Sequence, residues 1–223
     1  TEALATICNL LVKFSPMKKF LVEHGGVQRI AQLAHSQQGA VRLNALWAIK
    51  NALWESESPF KREVLDALGG PYLAQLAQSG DLAIVEQALN IVRNLSSTQL
   101  PGALRADIDL ALEAVGADAL LLAIEDVVWG DQRGGALVQA AYVLVNIASG
   151  SDEHRLLIIN RPNLLDALCF FLQHENDEVR EAGVRCGFNL TYRAHEEHGE
   201  AQNGLDAVSY THLTLPTKAL VRR

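Results

Sequence analysis

Apolar positions recur along most of this chain with the spacing of helix faces, and the whole pattern then repeats. Five segments share one shape, a small or apolar run ending in Asn plus an apolar residue, at 5–11, 45–53, 88–96, 140–148 and 182–190. Their asparagines, Asn9, Asn51, Asn94, Asn146 and Asn189, stand 42, 43, 52 and 43 residues apart. Two other markers keep the register. Ser15-Pro16 precedes Ser58-Pro59 by 43 residues, and IAQLA at 30–34 precedes LAQLA at 73–77 by the same 43. A fixed period of this length marks stacked units, because one unit cannot bury its apolar face alone.

Each unit reads as three helices. The first, with a Ser cap and Pro in its first turn in two of the units, covers about 16–24, 59–68, 107–115 and 154–161. Gly25-Gly26, Gly69-Gly70, Gly116 or Arg161-Pro162 then breaks the helix. The second, strongly apolar, covers about 27–36, 70–79, 117–128 and 163–174, and the third, which carries the Asn, about 40–55, 81–97, 136–149 and 177–193. No alternation of period two appears in the body, so no sheet is expected. The 52-residue unit places its nine or ten extra residues in loops at 96–107 and 130–135.

The ends depart from this pattern. Residues 1–14 read as the third helix of a truncated repeat, with Leu4, Ile7, Leu11 and Phe14 left exposed. Residues 15–200 form the solenoid and 201–207 an exit segment. The stretch 208–223 is β-branched, polar and basic-tailed, and reads as the translation of a sequencing adaptor rather than native sequence. Because the chain opens at Thr1 and its single methionine is Met17, it reads as a fragment.

Composition narrows the function. Of 223 residues, 49% are hydrophobic and 20% charged, which excludes disorder. The net charge of −7 is uneven: residues 1–62 carry +4, 63–207 carry −14 and the last sixteen +3. So acidic a body argues against a nucleic-acid partner. No apolar run approaches the roughly 20 residues that span a bilayer, so no membrane partner is expected. Cys8, Cys169 and Cys186 form no CxxC pair and read as reduced core thiols of a cytoplasmic or nuclear protein.

Candidate chemistry is sparse. His195-Glu196-Glu197-His198 spaces its histidines i, i+3, where metalloprotease helices need i, i+4. The Gly-rich stretch 130–135 lacks the Lys-Ser/Thr that holds nucleotide phosphates. His24, His35, His154 and His174 sit at expected helix ends. No Ser-His-Asp or Cys-His grouping stands out, although one could form in space. No catalytic residue, metal or cofactor is assigned.

More informative is the stripe around each asparagine, at i−4, i and i+3. It reads Ala5/Asn9/Val12, Trp47/Asn51/Trp54, Asn90/Asn94/Ser97, Tyr142/Asn146/Ser149 and Arg185/Asn189/Tyr192. Polar and aromatic residues flanked by Leu, Ile and Val suit a lined surface better than a buried face. Two readings stay open for each Asn: a contact for a partner, or a tie between neighbouring helices.

A period of 42–43 with three helices and an Asn in the last resembles the armadillo repeat over residues 1–200, most specifically in ALNIVRNLS at 88–96. The resemblance implies an all-α, right-handed superhelical solenoid of about four full repeats plus a partial N-terminal helix. NALWAIKN at 44–51, KREVL at 61–65, SGDL at 79–82, VRNLSST at 92–98 and VNIASG at 145–150 are similar to one group within that superfamily. This group is the armadillo scaffold subunit of GID/CTLH ubiquitin ligases, in its C-terminal region. Members are much longer, and their N-terminal half has no counterpart here.

That resemblance implies a non-catalytic scaffold whose partners are a substrate-receptor segment and other ubiquitin-ligase subunits. In armadillo proteins the third helices line a concave groove where asparagines clamp an extended peptide. Carried onto this chain, the partner-binding residues are Trp47, Asn51, Trp54, Asn90, Asn94, Ser97, Tyr142, Asn146, Arg185 and Asn189. An importin-like or catenin-like adaptor is the alternative. Importin-like cargo binding needs Trp-x-x-x-Asn in successive repeats, and only Trp47/Asn51 fits. Arg42, Lys50, Arg93 and Arg185 beside the stripe would also repel a basic signal. A metal or enzyme module at the inserted loops or at His195/His198 is the alternative from another class.

Deleting residues 208–223 is expected to leave the midpoint of chemical unfolding unchanged, since an undocked segment contributes little to folding free energy. A loss above about 1 kcal/mol would show the tail to be native structure.

Overall fold

The structure, a computed structural model, describes residues 6–7, 11, 15–97, 103–130 and 134–192. Asn9, Cys8, His195, His198, the exit segment at 201–207 and the tail at 208–223 lie outside them, and Tyr192 is described in its backbone alone.

The described residues form twelve α-helices and no strand. They are α1 (Ser15–Glu23), α2 (Gly26–Ala34), α3 (Gly39–Leu53), α4 (Ser58–Leu68), α5 (Gly70–Ala77), α6 (Leu82–Leu95), α7 (Leu104–Val115), α8 (Ala117–Trp129), α9 (Gly134–Ala148), α10 (Asp152–Ile159), α11 (Pro162–Leu172) and α12 (Asp177–Tyr192). These are the four expected triads. The third helices pack side by side, α3 on α6, α6 on α9 and α9 on α12, while α2 meets α4, α5 meets α7 and α8 meets α11. One continuous core runs through all four units, as a solenoid requires.

Local chemistry sets the breaks. Gly69 (φ 90°) and Gly116 (φ 87°) hold the turn between first and second helices in a region that side chains avoid. Gly70 is needed for a different reason: a Cβ there would lie 2.0 Å from the Ala114 carbonyl oxygen, so α5 could not approach α7. In the fourth unit Arg161, in extended conformation, leads into Pro162 in the first turn of α11. Asp81 caps α6 by accepting from the Ala83 N–H at 2.9 Å.

Four expectations change. Leu11 is buried and Ile7 packs against the core, where both were expected exposed, while Leu4 and Phe14 lie outside the described residues. Cys169 is exposed on α11, whereas Cys186 is fully buried on α12 and its thiol is pushed up to about 12 by desolvation. Helix α7 starts at Leu104, three residues ahead of Asp107, since Leu-Arg-Ala continues the helix and Asp107 turns inward. Ser58 is not a cap. Glu57 holds that position without a side-chain bond, and the Ser58 hydroxyl donates to Asp107 Oδ1 at 2.6 Å.

That contact belongs to the one buried ion pair among the described residues whose two side chains are both inaccessible. Lys61 Nζ lies 2.7 Å from Asp107 Oδ2, and it also donates to the Ser97 carbonyl. Thus α4 is pinned both to the start of α7 and to the chain leaving α6, the two ends of the first inserted loop. Removing one partner of such a pair strands the other charge in the core. Asp107→Ala should therefore cost about 3–5 kcal/mol in chemical denaturation, and Lys61→Met with Asp107→Leu distinctly less. A single-mutant loss below about 1 kcal/mol would show that the pair is not the pin described.

Candidate functional site: the third-helix face

Each inner third helix is flanked by two others, so little of its circumference is left for solvent. On α6 that remainder includes Asn90 and Arg93, with Ser97 just beyond the helix, and on α9 it includes Gln139, Tyr142 and Asn146. On α3 it includes Trp47 and Lys50, with Trp54 at the C-cap, and α12 adds Arg185 and Asn189. The structure therefore brings eight of the ten expected residues to the accessible side of adjacent third helices. Asn51 and Asn94 are buried beneath them.

The asparagines form a ladder. Asn94 Nδ2 donates to the Lys50 carbonyl at 2.9 Å, Asn146 Nδ2 to the Arg93 carbonyl at 2.9 Å, and Asn189 Nδ2 to the Val145 carbonyl at 3.1 Å. In every case the acceptor is the residue before the preceding repeat's Asn. Lys50, Arg93 and Val145 all lie among the last four residues of their helices, where intrahelical donors run out, although the Val145 carbonyl also accepts from the Ser149 N–H just past the end of α9. Each amide thus satisfies a carbonyl at the end of the neighbouring helix, which is the helix-tying reading left open by the sequence. Asn146 also donates to Ser96 Oγ at 3.1 Å. The amide oxygens of Asn94, Asn146 and Asn189 have no hydrogen-bond donor among the described residues, and Asn90 makes no hydrogen bond there.

The aromatic residues stand out differently. Trp47 and Trp54 are 48% and 45% exposed, while Ala48, Ile49, Ala52 and Leu53 between them are buried. Lys50 Nζ lies 5.3 Å from the Trp47 ring centre. The Trp54 carbonyl accepts from Lys18 Nζ, and Glu55 with φ 50° turns the chain away at once. The Trp54 indole thus stands at the helix end, with Trp47 about two turns earlier within α3.

One repeat further on, the Arg93 guanidinium lies over Tyr142, 3.9 Å from its ring centre, and donates to Gln139 Oε1 at 3.1 Å. Burial lowers the Arg93 pKa from its ordinary value, opposed by Tyr142 and Glu178 and assisted by Arg185. Arg185 pairs with Glu181 at 2.6 Å. Ser97 bonds back to the Asn94 carbonyl at 3.3 Å. Arg42 is a correction: its charge acts on Tyr72 of α5, which places it away from Arg93 and the stripe. Five residues before Trp47, it points roughly 140° around the helix. Gln139 and the Arg93–Tyr142 stack were missed because they depend on the fit between α6 and α9, which the widened unit spacing obscures.

A serine, a histidine and an aspartate do meet in space, yet as a helix cap. His154 Nδ1 accepts from the Ser151 backbone N–H at 3.1 Å and Nε2 contacts Asp109 Oδ1 at 2.8 Å. Both ring nitrogens are committed, so none is left to activate the Ser151 hydroxyl. Among the described residues no group of three His, Cys, Asp or Glu is arranged to hold a metal ion, and no helix is long and apolar enough to cross a membrane.

The resemblance to armadillo repeats is borne out by comparison with known proteins. The Armadillo/beta-catenin-like repeat family matches residues 14–53. Armadillo repeat-containing protein 8 of Xenopus laevis is 30% identical over 203 residues, covering 91% of this chain and 27% of its own length. GID complex subunit 5 of Schizosaccharomyces pombe is 23% identical over 166 residues, covering 74% of this chain and 20% of its own. The chain therefore spans less than a third of the length of these relatives. A designed armadillo repeat protein in complex with the peptide (KR)4 matches with a TM-score of 0.69 over 84% of this chain and 74% of that one, at 20% identity, and so shares the fold.

The ladder predicts an asymmetry between two asparagines of α6. Asn94→Ala should lower unfolding stability by about 1–3 kcal/mol, because it removes a donor to a helix-end carbonyl below the surface. Asn90→Ala should stay within about 0.5 kcal/mol. Equal losses in urea denaturation would contradict the ladder.

Proposed function

We propose that this chain, built of armadillo repeats and related to a GID complex subunit, is a non-catalytic scaffold segment that binds an extended stretch of a partner protein along its third-helix face. The setting we propose is a GID/CTLH-type ubiquitin ligase, with the substrate receptor as the partner. The observation that carries the reading is the pair Trp47 and Trp54, half-exposed on one helix whose neighbouring positions are core.

Several features support it. Large aromatic side chains on a face with few other apolar groups make rigid anchors with little entropy to lose. An extended segment presents N–H and C=O groups at each residue, and the half-buried amides of Asn90 and Asn189 can both donate and accept, while Asn146, whose two N–H groups are committed, can accept. Asn51 and Asn94 contribute through the framework beneath, while Ser97, Tyr142 and Arg185 extend the same row. The similarity to GID complex subunit 5 and to Armadillo repeat-containing protein 8 covers most of this chain and supports a ligase assembly over import factors.

The experiment is affinity purification of the tagged protein with and without Trp47→Ala/Trp54→Ala, with the partners identified by mass spectrometry. Each truncation should cost on the order of 2 kcal/mol of binding, about thirtyfold, so the double variant should lose the receptor while its circular dichroism is unchanged. Retention of the receptor by the folded double variant would move the site to another surface. Recovery of import factors in place of ligase subunits would replace the assembly.

A further inference from the structure

We infer that the third-helix face receives an acidic extended segment, in which an aspartate or glutamate side chain pairs with Arg93 where its guanidinium lies over Tyr142. The inference rests on the proposed peptide-binding role of this face and adds the chemistry of what binds.

Arg93 is held from both ends. Its carbonyl accepts from Asn146 at 2.9 Å, and its guanidinium is fixed by the Tyr142 ring at 3.9 Å and by Gln139 at 3.1 Å. A guanidinium has five N–H donors, and among the described residues one is used, by Gln139. Arg105, Arg155, Arg161, Arg180 and Arg185 each have a carboxylate within 4.0 Å. Among the described residues Arg93 has none, as is true of Arg29, Arg42 and Arg62, and of these four only Arg93 lies over an aromatic ring. The charges that face it are those of α12, where Glu178 and Arg185 act in opposite senses at longer range.

A partly desolvated cation with unused, planar donors and a fixed orientation is a receptor for a carboxylate, and its preorganisation reduces the entropy lost on binding. Lys50 continues the positive row on α3 beside Trp47. The occupant is an internal side chain and not a chain terminus. The face continues on both sides of Arg93, toward Trp47 and Trp54 on α3 and toward Asn189 on α12, so a bound chain runs past it. Although residues 63–207 are strongly acidic as a whole, the central positions of this face present a cation.

The test uses the full chain and three capped decapeptides, Ac-(Ser-Glu)5-NH2, Ac-(Ser-Gln)5-NH2 and Ac-(Ser-Lys)5-NH2, titrated at low ionic strength while the arginine Nε–H resonances are followed by NMR. Arg93→Lys assigns the Arg93 signal. The glutamate peptide should shift that signal and bind roughly tenfold more tightly than the glutamine peptide, with the preference weakening as salt is added. Arg93→Gln should remove the preference, whereas Arg105→Gln, at an exposed residue of α7 paired with Glu153, should retain it. Should Arg93→Gln fail to fold, Tyr142→Leu keeps the charge but frees the guanidinium, and should reduce the preference. Equal binding of the glutamate and glutamine peptides, both lost in Trp47→Ala/Trp54→Ala, would overturn the acidic occupant and leave the binding face. A glutamate preference that survives Arg93→Gln would overturn the assignment to Arg93. Absence of binding by all three peptides would overturn both.

Discussion

The third helices end in backbone carbonyls at the limit of their own hydrogen-bond ladders, and on α3, α6 and α9 the next repeat supplies an asparagine to one of them. The bonds from Asn94 to Lys50, Asn146 to Arg93 and Asn189 to Val145 repeat at the same helix position. They join elements that otherwise touch through Leu, Ile, Val and Ala, which attract without direction. A directional bond at a buried or half-buried site sets the axial register of one helix on the next. It also explains why the rung is Asn: the amide is short enough to stay within the interface and carries the donor that the carbonyl requires.

Register at this depth determines what the surface can present. Because flanking helices cover α6 and α9 on two sides, the accessible strip on each is a few residues wide. A one-position slip would exchange Arg93 for Asn94 or Val92 at the surface. The Arg93–Tyr142 stack spans two repeats and exists only if α6 and α9 meet in this register. The residue whose carbonyl takes the Asn146 rung is the residue whose side chain is aimed across the interface, so framework and presented chemistry are fixed by one contact.

The widened third unit poses a separate problem, since inserted residues separate α6 from α7 and α8 from α9. The buried Lys61–Asp107 pair, with the Ser58 hydroxyl and the Ser97 carbonyl, holds the chain on both sides of the first insertion against α4. Desolvating two charges is costly, and a hydrophobic pair of equal volume would often be more stable. What the ion pair adds is specificity: an ammonium with several polar partners accepts only one placement of the loop's two ends. The spacing between α6 and α9 can then match that of the other third helices despite the longer connection.

Much of this was legible in the sequence, because a solenoid's fold is local and repeated. The period of 42–43, the three apolar runs per unit and the Gly and Pro breaks report helices that depend on near neighbours in sequence. The exposure of Trp47 and Trp54 was legible too, as polar and aromatic residues on a stripe bounded by core positions. Roles that depend on a partner some 40 residues away were decided only by tertiary structure. Nothing local to Ser58 distinguishes a helix cap from a ligand of Asp107, and nothing local to Asn94 distinguishes a surface amide from a rung. Leu11 is buried rather than exposed, which its local pattern did not reveal. A periodic pattern states which side of a helix is covered, and the covering atoms, arriving from the next repeat, decide what each polar group on that side is for.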